Sequence, residues 1–266
     1  NHWIETGEAG GVPPTLQGGI EQRLSQLSSD ALRVLQTAAL LGKWATVERV
    51  GRVLELRSVE TLHCLEQLSR LGALDPKVSD LVVSHDLVAR SATERLTPLL
   101  RAAFHRRTAD VLIGEAETSH DSEILVASLD HLHRAGDEQV LATVTMANLE
   151  YLGALDAPAA GLRALTRIDS RHVRQTDRPR LASATARLLL REGAYTHALS
   201  NPLKGLLLPS IDACPSESEI DISLSLVDST YRADPLVDRA ALMAFTMAVS
   251  DLAYVSRETR LRACDI

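Results

Sequence analysis

The sequence predicts a mainly α-helical chain carrying one short β-hairpin, and three observations predict it. Leu, Ala and Val supply nearly all the apolar content while aromatics are only 3% of residues, a mix that suits packed helices better than a β-sandwich. Apolar residues recur at helical spacing through most of the chain, between capping and turn residues. A single β-branched run, Leu81-Val82-Val83-Ser84, follows a turn-rich stretch from Ala73 to Asp80.

The 266 residues suit one large domain or two small ones. Hydrophobic residues at 45% and charged residues at 24% are ordinary globular values, so disorder is not the default. A chain of this size buries roughly three quarters of its unfolded surface and needs no disulfide or metal to fold. Cys64, Cys214 and Cys264 are odd in number, far apart and without a CxxC pair, which argues for a reducing cytoplasm and against a disulfide framework or zinc site. No apolar stretch reaches about 18 residues, and the start lacks the layout of a secretory signal. The absent initiator Met and the featureless end at Ile266 read as a fragment of a longer protein. A formal charge of −7 disfavours non-specific nucleic-acid binding.

Residues 1–19 hold Gly7, Gly10, Gly11, Pro13, Pro14, Gly18 and Gly19 and read as a linker, with order beginning near Pro14 or Thr15. Ser28-Ser29-Asp30 caps a helix that puts Ala31, Val34, Leu35, Ala38 and Leu41 on one face and stops at Gly42. A second helix fits Thr46 to Leu54. Ser58 caps a third, with Val59, Leu62, Leu65 and Leu68 inward and Gly72 at its end. Three short helices followed by a β-hairpin is the winged-helix arrangement, placed here within residues 20–114 with flanking helix. Asp86 is positioned to cap a helix through Leu96, and Thr97-Pro98 starts another with Leu100, Ala103, Phe104, Arg107 and Val111 on its stripe.

Residues 115–266 read as helix after helix with small-residue turns at Ala135-Gly136-Asp137, Leu152-Gly153-Ala154 and Glu192-Gly193-Ala194-Tyr195. The last two glycines are spaced near the tetratricopeptide period but more loosely, which predicts a truncated α-solenoid of tetratricopeptide-like helix pairs. Pro202, Pro209 and Pro215 mark an irregular connection, and two further helices fit 217–232 and 235–254.

Several stretches between 12 and 140 resemble one family. Thr15-Leu16-Gln17-Gly18-Gly19-Ile20-Glu21-Gln22-Arg23-Leu24-Ser25-Gln26-Leu27, with Ala38-Ala39-Leu40-Leu41-Gly42, resembles the region after the nucleotide-binding core of STAND-class ATPases of the LuxR/MalT-type and AfsR-like kinds. Val83-Ser84-His85-Asp86-Leu87-Val88 looks like that family's RHDLVR stretch, and Phe104-His105-Arg106-Arg107 like its LHRR. Asp130-His131-Leu132-His133-Arg134-Ala135-Gly136-Asp137 is similar to its first helical repeat. The resemblance implies a cytoplasmic, signal-responsive transcriptional regulator, a switch in which a winged helix closes over ADP and helical repeats sense a protein, peptide or small effector. It also implies an upstream nucleotide-binding domain as partner, with ATP or ADP bound in the parent protein rather than in this chain. The phosphate-loop pattern GxxxxGK[ST] occurs nowhere in the sequence, so no catalytic residue is assigned and any ATPase lies upstream of Asn1.

His85 is the one candidate binding residue. A histidine at a strand end, beside a helix N-terminus, is placed to give an anion a charge-assisted hydrogen bond worth about 1.5–3 kcal/mol. The resemblance makes that anion the ADP phosphate, in the parent protein only. The competing reading is a strand-end histidine satisfied by backbone, with Asp86 merely capping.

Two alternatives accompany the regulatory reading. One is a DNA-binding winged-helix factor, and the other a helical scaffold without nucleotide coupling. The recognition-helix position carries Glu60, Glu66 and Arg70, and the wing only Lys77 against Asp75 and Asp80, where a DNA reader needs Lys, Arg, Asn or Gln. Arg101, His105, Arg106 and Arg107, and likewise Arg257, Arg260 and Arg262, read as solvated helix faces, since no aromatic residues interleave them. His131 and His133 point to different helix faces, which argues against a metal site.

Overall fold

The computed structural model describes residues 14–76, 80–192, 216–233 and 239–265. These residues are mainly helical, with one two-stranded antiparallel sheet. The chain divides into two compact units between Val111 and Leu112, against an expected boundary at 114. The turn at Gly193, the prolines 202, 209 and 215, and Lys77 lie outside the described residues.

In the first unit, α1 runs Pro14–Ser25. The linker expected through residue 19 therefore stops earlier, because Pro14 opens a helix that carries Gly18 and Gly19 through its middle. Ile20 and Leu24 are buried, and Arg95 Nε binds Glu21 at 3.1 Å. At the centre is α2 (Ser29–Leu41), capped by Ser28, whose side chain accepts the Ala31 N–H at 3.2 Å. It buries Ala31, Val34, Leu35, Ala38 and Leu41, as its spacing predicts. Gly42 ends it at φ 56°, ψ −122°, a conformation that favours glycine.

Helix α3 (Val47–Leu54) is capped by Thr46. Helix α4 (Ser58–Arg70) begins at the residue expected to cap it, so the cap lies one residue earlier. Arg57 is its N-cap, and its backbone N–H is accepted by Glu60 at 3.0 Å. Strands β1 (Leu74–Pro76) and β2 (Leu81–Val83) pair as Leu74↔Val83, Asp75↔Val82 and Pro76↔Leu81. A short third edge adds to the ribbon: Leu81 N–H donates to the Ala45 carbonyl at 2.9 Å, and Thr46 bridges Asp80. Helix α5 (Asp86–Glu94) follows, and Gln36 of α2 reaches it, donating to the Ala92 carbonyl at 3.0 Å. That bond satisfies a buried amide which α2 would otherwise leave costly.

Helix α6 (Pro98–Ser119) is capped by Thr97, whose hydroxyl accepts the Leu100 N–H at 3.3 Å. Its buried stripe is His105, Thr108, Ala109, Leu112 and Ala116, rotated from the expected Leu100, Ala103, Phe104, Arg107 and Val111. Leu99 and Leu100 are exposed, and Arg107 is turned outward to Glu55 at 2.6 Å.

In the second unit, α7 (Ser122–Ala135) is capped by Asp121 and ends at Gly136, φ 72°. Asp137 at once caps α8 (Glu138–Ala147), accepting the Val140 N–H at 3.2 Å. A five-residue α9 (Leu149–Gly153) and α10 (Pro158–Thr166) lead to α11 (Arg178–Glu192). Asp130 on α7 binds both Arg134, at 2.9 Å, and Arg167 just beyond α10. Gly161 on α10 lets the helices approach closely: a Cβ there would lie 2.7 Å from the Leu152 carbonyl oxygen and 3.0 Å from Leu188 Cδ1.

The last described elements are α12 (Glu217–Ala233), α13 (Arg239–Ser250) and α14 (Arg257–Asp265). Ile220, Leu224, Val227, Leu242, Phe245 and Val249 form their core with Val255 and Ala263. Glu217 ties α12 to the start of α14, accepting the Ser256 backbone N–H at 2.9 Å and the Thr259 hydroxyl at 2.8 Å.

Hydrogen bonds from Ser256 and then Thr259 hold the Glu217 carboxyl below its ordinary 4.5. Above that value the carboxylate is charged whether the chain is folded or not, and the bonds contribute in full. As pH falls through the lowered folded value, the contribution is lost. Asp169, held at about 2 by Arg171, behaves alike between its ordinary 3.8 and 2. The chain is therefore expected to melt progressively lower below about pH 4, and Glu217→Gln to lessen that slope in thermal scans at stepped pH.

Candidate functional site

The one candidate binding residue, His85, lies where β2 passes into α5. His85 ends the strand run at φ −150°, ψ 144° and is the N-cap of α5. Its carbonyl accepts the N–H groups of Val88 at 2.9 Å and Ala89 at 3.2 Å. Its imidazole is exposed and makes no hydrogen bond among the described residues. Asp86 is the first helical residue rather than the cap, and no side chain caps α5. An anion approaching this helix start meets the exposed Asp86 carboxylate beside His85, so the two side chains act on it in opposite directions.

The face of α4 differs from the expected one. Thr61, Cys64, Leu65 and Leu68 are buried, while Val59 is 78% and Leu62 53% exposed. Leu65 and Leu68 are thus inward as expected, while Thr61 and Cys64 take the inward places expected of Val59 and Leu62. A threonine is tolerated inside because its hydroxyl donates to the Arg57 carbonyl at 3.2 Å, and it lies close against Gly51, where a Cβ would stand 3.2 Å from that oxygen. Sequence reasoning missed these outward apolar residues. The only available signal was that either row of α4 has helical spacing.

An open groove of about 720 Å³ runs along α4, lined by Asp30, Val59, Glu60, His63, Gln67 and Arg70 among others. Ser28 donates to Gln67 Oε1 across it at 2.9 Å. Cys64 lines it from below, and burial, with Asp30 and Glu60 adding, pushes its thiol up and away from thiolate chemistry. The cations of this face are already engaged, Arg57 with Glu60 and Arg70 with Glu66 at 3.2 Å.

No family model, curated protein or solved structure matches this chain.

The remaining sequence candidates do not converge. Arg101 donates to the Thr93 carbonyl at 2.9 Å, Arg106 pairs with Asp110 at 3.1 Å, and His105 is buried at 3% exposure. Arg262 donates to Ser225 Oγ at 2.6 Å, while the Arg260 Nε is buried without a partner. His131 is buried, whereas His133 is half-exposed, 3.6 Å from Glu138. No group of three metal-ligating side chains occurs among the described residues. No described helix is long and apolar enough to cross a membrane. One cluster escaped the sequence reading: Trp44 lies beneath Lys43, 4.5 Å from its ring centre, with the Arg49 guanidinium at 5.6 Å.

Proposed function

We propose that this chain is a non-catalytic regulatory and protein-interaction segment of a signal-responsive STAND ATPase transcriptional regulator. In this reading residues 29–83 act as a winged helix that couples the nucleotide state of an upstream domain to tetratricopeptide-like helix pairs, whose surface takes a protein, peptide or small effector. The observation that carries it is the order of parts. Three short helices lead into the β1–β2 ribbon, the ribbon gains an edge from Ala45 and Thr46 between the first and second of them, and helical hairpins follow. The outward Val59 and Leu62 add to it, because the helix that would read bases in a DNA-binding winged helix presents apolar side chains suited to packing on protein. The five-residue α9 makes the helical array less regular than consensus repeats. The freestanding imidazole of His85 is where the proposed ADP phosphate contact would be made in the parent protein.

Two measurements test this. The coding sequence upstream of Asn1 is expected to contain a GxxxxGK[ST] loop, and a stretch without one overturns the nucleotide-coupled reading in favour of a plain helical scaffold. Fluorescence anisotropy with duplex DNA is expected to give no binding tighter than about 1 µM at physiological salt. Tight, salt-sensitive binding supports the DNA-reading alternative instead.

A further inference from the structure

The α10–α11 hairpin is an island of positive charge. Residues 158–192 hold eight arginines, no lysine and three acidic residues, in a chain whose formal charge is −7. From the neighbouring α7 and α9, Asp130 takes Arg167 and Glu150 takes Arg180, the latter at 3.8 Å. The arginines still outnumber the carboxylates. Arg171, Arg174 and Arg178 crowd the connection, in or beside two single-turn helices, Ser170–His172 and Gln175–Asp177, that lead into α11. Arg178 opens a helix whose first turn has no acidic residue, and Asp177 just before it is held by Arg174 at 2.8 Å. The positive end of the helix dipole, which Asp or Glu ordinarily offsets, is here joined by a like charge. Arg163 and Arg178 are exposed and have no partner among the described residues.

We propose that this hairpin docks an acidic protein segment, whose Asp and Glu side chains lie along the α10–α11 connection. The proposal deepens the reading above by giving the effector of the helical array a chemistry. It rests on that array being a binding surface, and not on nucleotide coupling. Guanidinium groups present paired N–H donors that match carboxylates, which suits arginine rather than lysine to the task. The arginines already paired are held weakly. Arg171 and Arg174 are 85% and 86% exposed and bind Asp169 and Asp177, two and three residues away, and exposed pairs of this kind contribute little. An incoming carboxylate shares or displaces such partners without leaving a buried charge behind. A nucleic acid fits less well. No aromatic residue occurs in 158–192 for bases to stack on, and a long polyanion reaches past the hairpin to a remainder of the chain more acidic than the whole. A short peptide stays within the roughly 8 Å over which local charge acts at physiological salt.

Fluorescence anisotropy of the full chain with fluorescein-labelled decaglutamate tests the proposal. The expected result is saturable binding tighter than about 1 mM, weakening as salt rises from about 50 to about 300 mM. Arg171→Gln, Arg174→Gln and Arg178→Gln together are expected to weaken it about tenfold, at roughly twofold per exposed charge contact, with unchanged circular dichroism. Arg178→Gln alone, which breaks no existing pair, is expected to weaken it about twofold, a readout that survives should the triple variant misfold. Arg33→Gln, Arg52→Gln and Arg90→Gln remove the same charge from the first unit and are expected to leave the affinity unchanged. Four results overturn the proposal: no binding by the wild type, binding indifferent to the hairpin variants, equal weakening by the first-unit triple, and duplex DNA or phosphatidylserine vesicles held more tightly than the peptide. A missing upstream phosphate loop leaves a positive result standing, and failure here leaves the nucleotide-coupled reading to its own test.

Discussion

Leu35→Ala is expected to lower the unfolding free energy of the first unit by about 2–5 kcal/mol, the range for emptying a fully buried leucine site. Leu35 has no exposed surface and sits mid-way along α2, the helix on which α3, α4 and α5 all pack. Few neighbours are free to fill the space. The Gln36–Ala92 hydrogen bond holds α5 at its present distance, and the Ser28 cap with its bond to Gln67 holds α4. Collapse into the cavity would break one of these, so the cost is expected in the upper half of the range. Urea titration followed by Trp44 fluorescence in a Trp3→Phe background reads it directly, since Trp44 adjoins the ribbon's third edge. A shift in midpoint without a change of slope is the signature of lost stability rather than altered compactness.

Leu188→Ala is expected to cost the second unit a similar 2–5 kcal/mol, and its coupling to Gly161 makes the experiment sharper. Leu188 is fully buried on α11, with its methyl groups against the space above Gly161. Gly161→Ala alone is expected to destabilise by about 1–3 kcal/mol, despite alanine's better helix propensity, because the new methyl meets the Leu152 carbonyl as well as Leu188. The double variant should fall short of the sum, since removing Leu188 clears one of the two clashes. It should not return to wild type, because the carbonyl at 2.7 Å is backbone and cannot swing away. Additive costs in a double-mutant cycle would mean that the two helices separate when either residue changes.

The parts of this fold that were legible in the sequence are those set by local chemistry. Ser28 and Thr97 cap their helices and Gly42 and Gly136 end theirs where their types predict, because a cap needs only its own neighbouring N–H or carbonyl groups. Ser58 and Asp86, expected as caps, are first helical residues instead, and Thr46, read as the start of a helix, is its cap. The ribbon was legible from Leu81-Val82-Val83 and α12 from its spacing, whereas the helix expected over 235–254 ends at Ser250 and α14 was not read as a helix of its own. What stayed hidden depends on partners distant in sequence. Both rows of α4 fit a helix, and only the close approach at Gly51 and the bonded Thr61 hydroxyl decide that Leu62 faces out. On α6 the buried row contains His105 and Thr108, which hydropathy alone places outside. The third edge at Ala45-Thr46 is a pair of residues with no strand pattern. For the candidate site, His85 was locatable from its strand end, but the exposed Val59 and Leu62 beside the groove were assigned to the interior.

The junction between α7 and α8 leaves no residue to spare. Gly136 closes one helix, its N–H donating to the His133 carbonyl at 3.0 Å, and the very next side chain, Asp137, opens the other. Fraying of either end removes what holds its neighbour. The two helices therefore form one cooperative opening unit, and in deuterium exchange their amide protons should be lost together, at a common free energy, rather than unzipping from the turn outward.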